Sequence, residues 1–171
     1  DDHTGHSGYW NGATMDGNND GQVLRYDNTF GDFGVAVSYE MDDSGAGNDT
    51  VGLGLKYSAD LGDASIALGL GYQADDATDV TSISAKTSFS GVDVVLNYAS
   101  DGSGVDYVGI GLGYSAGDLS LSANWGEYAD TASASCFGIT ANYDLGGGAK
   151  VMAGTGYSSD DVGNFSLGLR S

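Results

Sequence analysis

One stretch of the chain alternates large apolar side chains with small or polar ones: Val51-Gly52-Leu53-Gly54-Leu55-Lys56-Tyr57. Successive side chains of a β-strand point to opposite faces of a sheet, whereas residues at this spacing would spiral around a helix. The stretch therefore predicts a strand with one apolar face and one face of small and polar residues.

The same alternation recurs to the end of the chain. Two further strands, at 22–27 and 33–40, precede the quoted stretch, and the total is about eleven. The large residues of the later segments are Ile66, Leu68, Leu70 and Tyr72; Val92, Val94, Leu96 and Tyr98; Val108, Ile110, Leu112 and Tyr114; Leu119, Leu121, Ala123 and Trp125; Phe137, Ile139, Ala141 and Tyr143; Val151, Ala153, Thr155 and Tyr157; and Phe165, Leu167 and Leu169.

The connections between these segments alternate in length, which predicts an up-and-down meander with short turns at one end and long loops at the other. The short turns are at 30–32, 60–63, 90–91, 116–118 and 144–148, and the longer acidic loops are at 41–49, 74–79, 100–104, 129–133 and 158–163. Tyrosines fall at both ends of the apolar stripes, as in two aromatic girdles. They are Tyr57, Tyr114 and Tyr143 before short turns, and Tyr39, Tyr72, Tyr98 and Tyr157 before long loops.

These features predict an all-β fold, an antiparallel up-and-down transmembrane β-barrel with its apolar face outside. A soluble β-sandwich or a solenoid would also have alternating strands. In a sandwich, however, the exposed faces usually carry Thr, Lys, Glu and Arg, whereas here the second face carries mainly Gly, Ala, Ser and Asn. Small polar residues suit the wall of a lumen.

Composition excludes several classes of protein. The 171 residues include 30 Gly, no Pro and 11 Tyr, and the formal net charge is −19. So acidic a chain lacks the Lys and Arg that a nucleic-acid-binding protein needs to neutralise phosphates. Cys136 is the one cysteine, which excludes an intramolecular disulfide framework, and no apolar run is long enough for a transmembrane helix.

Two segments resemble general diffusion porins of Gram-negative bacteria. The segment that follows the constriction loop in those porins is similar to Val23-Leu24-Arg25-Tyr26-Asp27-Asn28-Thr29-Phe30-Gly31-Asp32-Phe33-Gly34-Val35-Ala36-Val37-Ser38-Tyr39. The penultimate hairpin of the Rhodobacter-type branch is similar to Asn142-Tyr143-Asp144-Leu145-Gly146-Gly147-Gly148-Ala149.

The resemblance implies a sixteen-stranded, homotrimeric porin in the outer membrane, in contact with the lipid bilayer and lipopolysaccharide. On this interpretation residues 1–21 are a constriction-loop segment, and residues 22–171 supply about eleven of the sixteen barrel strands. Porins of this kind usually end on an aromatic residue, whereas this chain stops at Leu169-Arg170-Ser171. We therefore expect strands before this chain and a few residues after it.

The basic residues fall on the small-residue side of the alternation. A charge on the lipid side at mid-membrane would cost about 2–4 kcal/mol, so we expect these residues to face the lumen. We assign Arg25, Lys56, Lys86 and Arg170 as pore-lining basic residues, and Lys150 has the same parity. Arg25 is the first candidate because it lies nearest the constriction segment. The alternative is that these are solvated lumen charges without a role in selectivity.

Acidic residues favour a cation-preferring pore. We assign Asp16, Asp20 and Asp27 to the constriction loop, where they would face the basic wall across the water. Aspartates in the long loops would give a negative mouth that enriches cations. Acidic loops are also common simply because they keep a protein soluble.

The stretch Asp16-Gly17-Asn18-Asn19-Asp20-Gly21 matches the first half of a calcium-binding loop. Asp16, Asn18 and Asp20 would supply hard oxygen ligands at alternate positions. The twelfth position is Asp27 instead of the usual Glu, and no flanking helices are predicted. The alternative is an ordinary turn rich in Gly, Asn and Asp.

The sequence thus predicts a porin for the passive diffusion of small hydrophilic solutes and ions, and not an enzyme, because no catalytic constellation is evident. No cofactor other than calcium is expected. The alternative is a secreted or surface-attached acidic β-rich protein, a solenoid-like calcium-binding adhesin, for which abundant Gly and Asp would also be natural.

Overall fold

The computed structural model describes residues 22–42, 49–76, 78–129, 134–159 and 163–170. In this part of the chain eleven β-strands follow one another. They are β1 (Gln22–Phe30), β2 (Phe33–Met41), β3 (Thr50–Asp60), β4 (Ala64–Ala74), β5 (Asp79–Phe89), β6 (Val92–Ser100), β7 (Asp106–Ala116), β8 (Leu119–Ala129), β9 (Ala134–Gly146), β10 (Ala149–Ser158) and β11 (Gly163–Arg170).

The strands form one antiparallel sheet in sequence order, β1 to β11. The predicted meander of about eleven strands is confirmed. A sandwich would need a second sheet and a solenoid would stack its strands differently, so neither alternative fits the described residues. Within these residues β1 pairs only with β2, and β11 only with β10. No helix in the described part is long and apolar enough to cross a membrane.

Tight turns at one end of the sheet fix the register of the hairpins. In the β5–β6 turn both central residues have positive φ, 50° at Ser90 and 80° at Gly91. This is the pattern of a type I′ turn, whose twist matches that of the flanking strands. Ser90 is the one residue other than glycine with positive φ in the described part of the chain.

The β9–β10 hairpin departs from the sequence prediction, which ended β9 before residue 144. In the structure β9 continues to Gly146, and the register shifts because Ala149 pairs with Gly146 while Lys150 pairs with Asp144. Leu145 is therefore an extra residue on one strand, a β-bulge. Gly146, with φ of 79°, accommodates the bulge because it lacks a Cβ.

The strands are staggered across the sheet. One row of paired residues begins at Phe33, the first residue of β2 beside a short turn, and ends at Tyr157, close to the long-loop end of β10. The row passes through Tyr57, Leu68, Ala85, Leu96, Ile110, Trp125 and Phe137. Such a drift means that the strands are tilted relative to the axis around which the sheet curls, as barrel closure requires.

The described part of the chain has no buried apolar side chain. Its large side chains lie instead on one exposed face, which we call the apolar face; Leu24, Phe165 and Leu169, for example, are 73% exposed. Rings meet at both ends of this face: Phe33 and Tyr57 at the short-turn end, with centroids 5.0 Å apart, and Phe137 and Tyr157 at the long-loop end, 6.1 Å apart. A face of this kind is stabilised when an apolar medium covers it.

Candidate functional site

The opposite side of the sheet carries the candidate site. We call it the small-residue face, because its central rows consist mainly of Gly, Ala, Ser and Asn. One of its rows runs from Ala36 through Gly54, Gly71, Ser82 and Ala99 to Tyr107. Another runs from Lys56 through Gly69, Ser84, Asn97 and Gly109 to Gly126.

A groove of about 300 Å³ lies on this face near β1, with Arg25 at its rim. Its floor contains Gly52 and Gly71, and serine hydroxyls from the neighbouring strands lie over these glycines. A Cβ on Gly52 would come within 2.3 Å of Ser38 Oγ, and one on Gly71 within 2.5 Å of Ser82 Oγ. The absence of side chains here leaves a shallow polar channel along the strands.

Arg25 and Asp27 lie two residues apart on β1 and form a bidentate pair on the small-residue face. Arg25 Nε donates to Asp27 Oδ2 at 2.7 Å, and Nη2 donates to Oδ1 at 2.8 Å. The structure thus places Asp27 inside β1, paired with Ala36, and not in the loop segment to which its sequence assigned it. The reason is that the alternation of β1 continues to Phe30, so the hydrogen-bonded ladder includes Asp27.

Lys56 and Lys86 lie on either side of β4, opposite Gly69 and Ala67 respectively. Both line a second groove, of about 260 Å³, that also contains Ser84 and Asn97. Among the described residues neither lysine forms an ion pair. The two ammonium groups are therefore a local positive area on a wall of small neutral residues.

The remaining two basic residues lie together near the β9–β10 turn. Lys150 Nζ is 3.5 Å from Asp144 Oδ2, and Arg170 is the register partner of Lys150. All five Lys and Arg residues are thus on the small-residue face, as the alternation predicts. The structure brings Lys56 and Lys86 into one groove and leaves Arg25 and Arg170 at opposite ends of the sheet.

Hydrogen-bonded hydroxyl groups make other parts of this face polar. Ser122 Oγ and Thr140 Oγ1 are 2.5 Å apart across β8 and β9. Ser88 donates from its hydroxyl to the carboxylate of Asp93 across the β5–β6 hairpin. Such groups can exchange hydrogen bonds with water along the face.

Aspartates hold two of the long loops in shape. Asp101, which is 7% exposed, accepts hydrogen bonds from Ser103 N at 2.9 Å and from Val105 N at 3.1 Å. Donation from Ser103, and to a lesser extent from Val105, holds the pKa of the Asp101 carboxyl below its usual value. In the β2–β3 loop, hydrogen bonds from the Tyr39 hydroxyl and from Asp42 N likewise lower the pKa of Asp49.

Sequence reasoning missed two tyrosines on the small-residue face. Tyr107 and Tyr128 are register partners near the long-loop end, and their ring centroids are 4.9 Å apart at an interplanar angle of 50°. The alternation of residues along β7 could have revealed Tyr107. It precedes Val108 of the apolar stripe, so it lies on the same face as Gly109.

The constriction-loop and calcium predictions lie outside the described residues. They concern Asp16, Asn18 and Asp20, together with the whole segment 1–21. In the part of the chain that the structure covers, no group of three or more His, Cys, Asp or Glu residues is placed to hold a metal ion.

A comparison with protein families assigns this chain to a family. The model of the family described as Gram-negative porin matches residues 1–163. The chain belongs to the Gram-negative porin family. The protein is therefore an outer-membrane protein of Gram-negative bacteria, and the resemblance seen in its sequence is confirmed.

Solved porin structures share the fold. An engineered variant of the porin of Rhodobacter blastica is similar, with a TM-score of 0.70 at 20% identity, over 86% of this chain and 53% of that one. A porin structure refined at 1.8 Å resolution gives a TM-score of 0.68 at 21% identity, over 86% and 60%. A loop-deletion mutant of OmpT, an outer membrane protein of Vibrio cholerae, gives 0.61 at 17%, over 86% and 61%. The chain spans about half the length of the Rhodobacter blastica porin. No curated protein sequence matches it.

Proposed function

We propose that this porin forms a water-filled channel for the passive diffusion of small hydrophilic solutes and ions. The observation that carries the proposal is the segregation of charge: all five basic residues lie on the small-residue face. Acidic residues on the apolar side, Asp79, Asp106 and Glu127, lie at the long-loop ends of their strands, at or beyond the level of Trp125. Because lipid penalises a mid-membrane charge by about 2–4 kcal/mol, this arrangement suits lipid on one face and water on the other. Family and fold thus indicate a channel and not an enzyme.

The channel would select solutes by size and charge alone. The described part of the small-residue face offers hydroxyl, amide and main-chain groups, and its two grooves are shallow. Solutes would therefore pass hydrated and without tight binding.

We also propose that the channel prefers cations. The net charge of −19 and the aspartates of the long loops would give a negative mouth, and its field would raise the local cation concentration at low salt. Lys56 and Lys86 would oppose this preference locally, on the wall that we expect Asp16 and Asp20 to face.

Assembly as a homotrimer, in contact with lipopolysaccharide, is the expectation from the resemblance to general diffusion porins. The mass of the native assembly in mild detergent, compared with that of the heat-dissociated chain, tests it directly. A ratio near three supports the trimer, and a ratio near one contradicts it.

A calcium ion held by Asp16, Asn18 and Asp20 is a further proposal, based on the spacing of their oxygen ligands. The thermal unfolding temperature should rise with added calcium in the native protein and should not rise in Asp16→Asn/Asp20→Asn. Equal responses in both proteins would eliminate the calcium site.

The channel itself is tested with the full-length protein in planar bilayers. Stepwise conductance proportional to bulk salt conductivity, together with swelling of liposomes in small sugars but not in large ones, would support an open diffusion pore. In a salt gradient the sign of the reversal potential gives the charge preference. Absence of conductance from correctly folded protein would refute the proposal.

A further inference from the structure

Tyr107 and Tyr128 form a tyrosine pair near the long-loop end of the small-residue face, and the placement of the Tyr107 ring is unusual. The ring of Tyr107 lies over two glycines of adjacent strands. A Cβ on Gly109 would come within 2.8 Å of the Tyr107 hydroxyl oxygen and 3.1 Å of Cε1, and a Cβ on Gly126 within 2.7 Å of the same oxygen and 3.1 Å of Cε2. The two edges of the ring are thus supported symmetrically, so the ring lies flat against the sheet.

A flat ring presents its second face away from the sheet. Gly109 and Gly126 are both buried under the ring, while Tyr107 itself keeps part of its surface exposed. Tyr128 adjoins it with its ring tilted by 50°, so the two rings form a shallow corner. Cys136, the register partner of Gly126, is on the same face.

The charges around this corner are of one sign. The sequence from residue 87 to residue 149 contains no Lys or Arg. Asp106 and Glu127, which precede the two tyrosines in the chain, lie on the opposite, apolar face, and Asp101 lies in the loop that leads into β7. A cation near the corner would therefore meet aromatic faces, with no competing ammonium or guanidinium group on β6 to β9.

We propose that Tyr107 and Tyr128 form a binding site for small organic cations of the alkylammonium or quaternary ammonium class, at the long-loop mouth of the channel. The negative face of an aromatic ring attracts such cations, and the weakly hydrated alkyl groups favour contact with it. The proposal rests on the channel function, because the corner lies on the face that we assign to the water-filled side. It adds a specificity site to a pore that otherwise only sieves.

The test is the concentration dependence of single-channel conductance of the full-length protein in tetramethylammonium chloride and in potassium chloride. The wild-type current should saturate with tetramethylammonium at a lower concentration than with potassium. In Tyr107→Leu the half-saturating concentration of tetramethylammonium should rise about threefold to tenfold, whereas Tyr107→Phe should retain the wild-type value because the ring is kept. Tyr98→Leu is the matched control, since Tyr98 pairs with Val108 at the same level on the apolar face.

Potassium conductance separates the two proposals. Open channels in potassium chloride with identical tetramethylammonium saturation in wild type and Tyr107→Leu would overturn the cation site while leaving the channel intact. If glucose, an uncharged solute, slows in the wild-type channel as much as tetramethylammonium does, the proposal is also overturned. The tyrosines would then bind a neutral sugar as well as a cation. If Tyr107→Leu does not assemble, Tyr128→Leu provides the same comparison with the ring of Tyr107 in place, and an unchanged half-saturation there would count against the site.

Discussion

The guanidinium of Arg25 is bound through two nitrogens to the carboxylate of Asp27, two residues further along the same face of β1. The two side chains are 63% and 56% exposed, so the pair is solvated and its contribution to stability is small. The effect of the pair is electrostatic. Arg25, the first candidate from the sequence for a pore-lining charge, is neutralised locally by Asp27. Among the described residues, the basic side chains of the wall that form no ion pair are Lys56, Lys86 and Arg170.

Removing the partner of Arg25 should therefore make the channel less cation-selective. In Asp27→Asn the guanidinium charge is no longer compensated. A unit charge about 5 Å from a passing ion in water changes its energy by about 0.8 kcal/mol, which is about fourfold for each ion before screening by salt, so the ratio of cation to anion permeability should fall severalfold. Reversal potentials in a potassium chloride gradient measure this ratio. Asp27→Glu keeps the charge and should behave as wild type; an equal shift in both variants would contradict the explanation.

Neutralising the two lysines of the second groove should have the opposite effect. In Lys56→Gln/Lys86→Gln both unpaired ammonium groups are lost from one groove, so cation preference should increase, most clearly at low salt where screening is weak. Lys150→Gln is the comparison, because Lys150 already lies 3.5 Å from Asp144. A larger change in Lys150→Gln than in the double variant would show that the groove does not contribute to selectivity.

Charges introduced on the two faces of β7 should differ in their effect on folding. Ile110→Arg places a charge on the apolar face and should lower the free energy of unfolding by about 2–4 kcal/mol in lipid vesicles. Gly111→Arg, the next residue on the opposite face, should cost much less, since a Cβ there meets only Val95 Cβ at an ordinary 3.6 Å. Urea titrations of both variants in vesicles measure the difference, and equal losses would argue against lipid on the apolar face.

The β6–β7 loop should loosen in acid. The pKa of the Asp101 carboxyl is lower in the folded protein than in the unfolded chain, where it is about 3.9. The ionised carboxylate therefore stabilises the folded loop fully above the unfolded pKa, and this stabilisation is lost as the pH falls through the lower, folded pKa. Hydrogen exchange at Ser103 and Val105 should therefore lose its protection below about pH 4. Asp101→Asn should show weak protection already at neutral pH. Ser103→Ala, which keeps both main-chain donors, should retain most of the protection; identical behaviour of the two variants would contradict this role for Asp101.

The alternation of side chains was sufficient to predict the strands, their number and the face of every basic residue. This succeeded because each strand has one apolar and one small-residue face, so parity alone assigns a side chain. It did not reveal the ends of individual strands. Leu145 could not be recognised as a bulge, since bulge formation depends on how Ala149 pairs across the hairpin.

The functional details were less accessible to sequence reasoning because they depend on contacts between strands. The sequence analysis assigned Asp27 to the constriction loop, across the water from the basic wall, and so did not show that Asp27 binds Arg25 on the same strand. The meeting of Tyr107 and Tyr128 depends on the β7–β8 register, and the flat placement of Tyr107 depends on glycines in both strands. Asp101 reads as one more acidic loop residue until its hydrogen bonds to the loop are seen.

The central claim is that the small-residue face lines water and the apolar face contacts lipid. Cysteine scanning of β8 tests it most directly, in a Cys136→Ser background of the full-length protein. Cysteines at Ser120, Ser122 and Asn124 should react with a charged, water-soluble thiol reagent and change the single-channel current, whereas cysteines at Leu121, Ala123 and Trp125 should not. A period of two residues along the strand is the predicted result. Reaction without that period, or confined to positions 121, 123 and 125, would contradict the assignment of the faces.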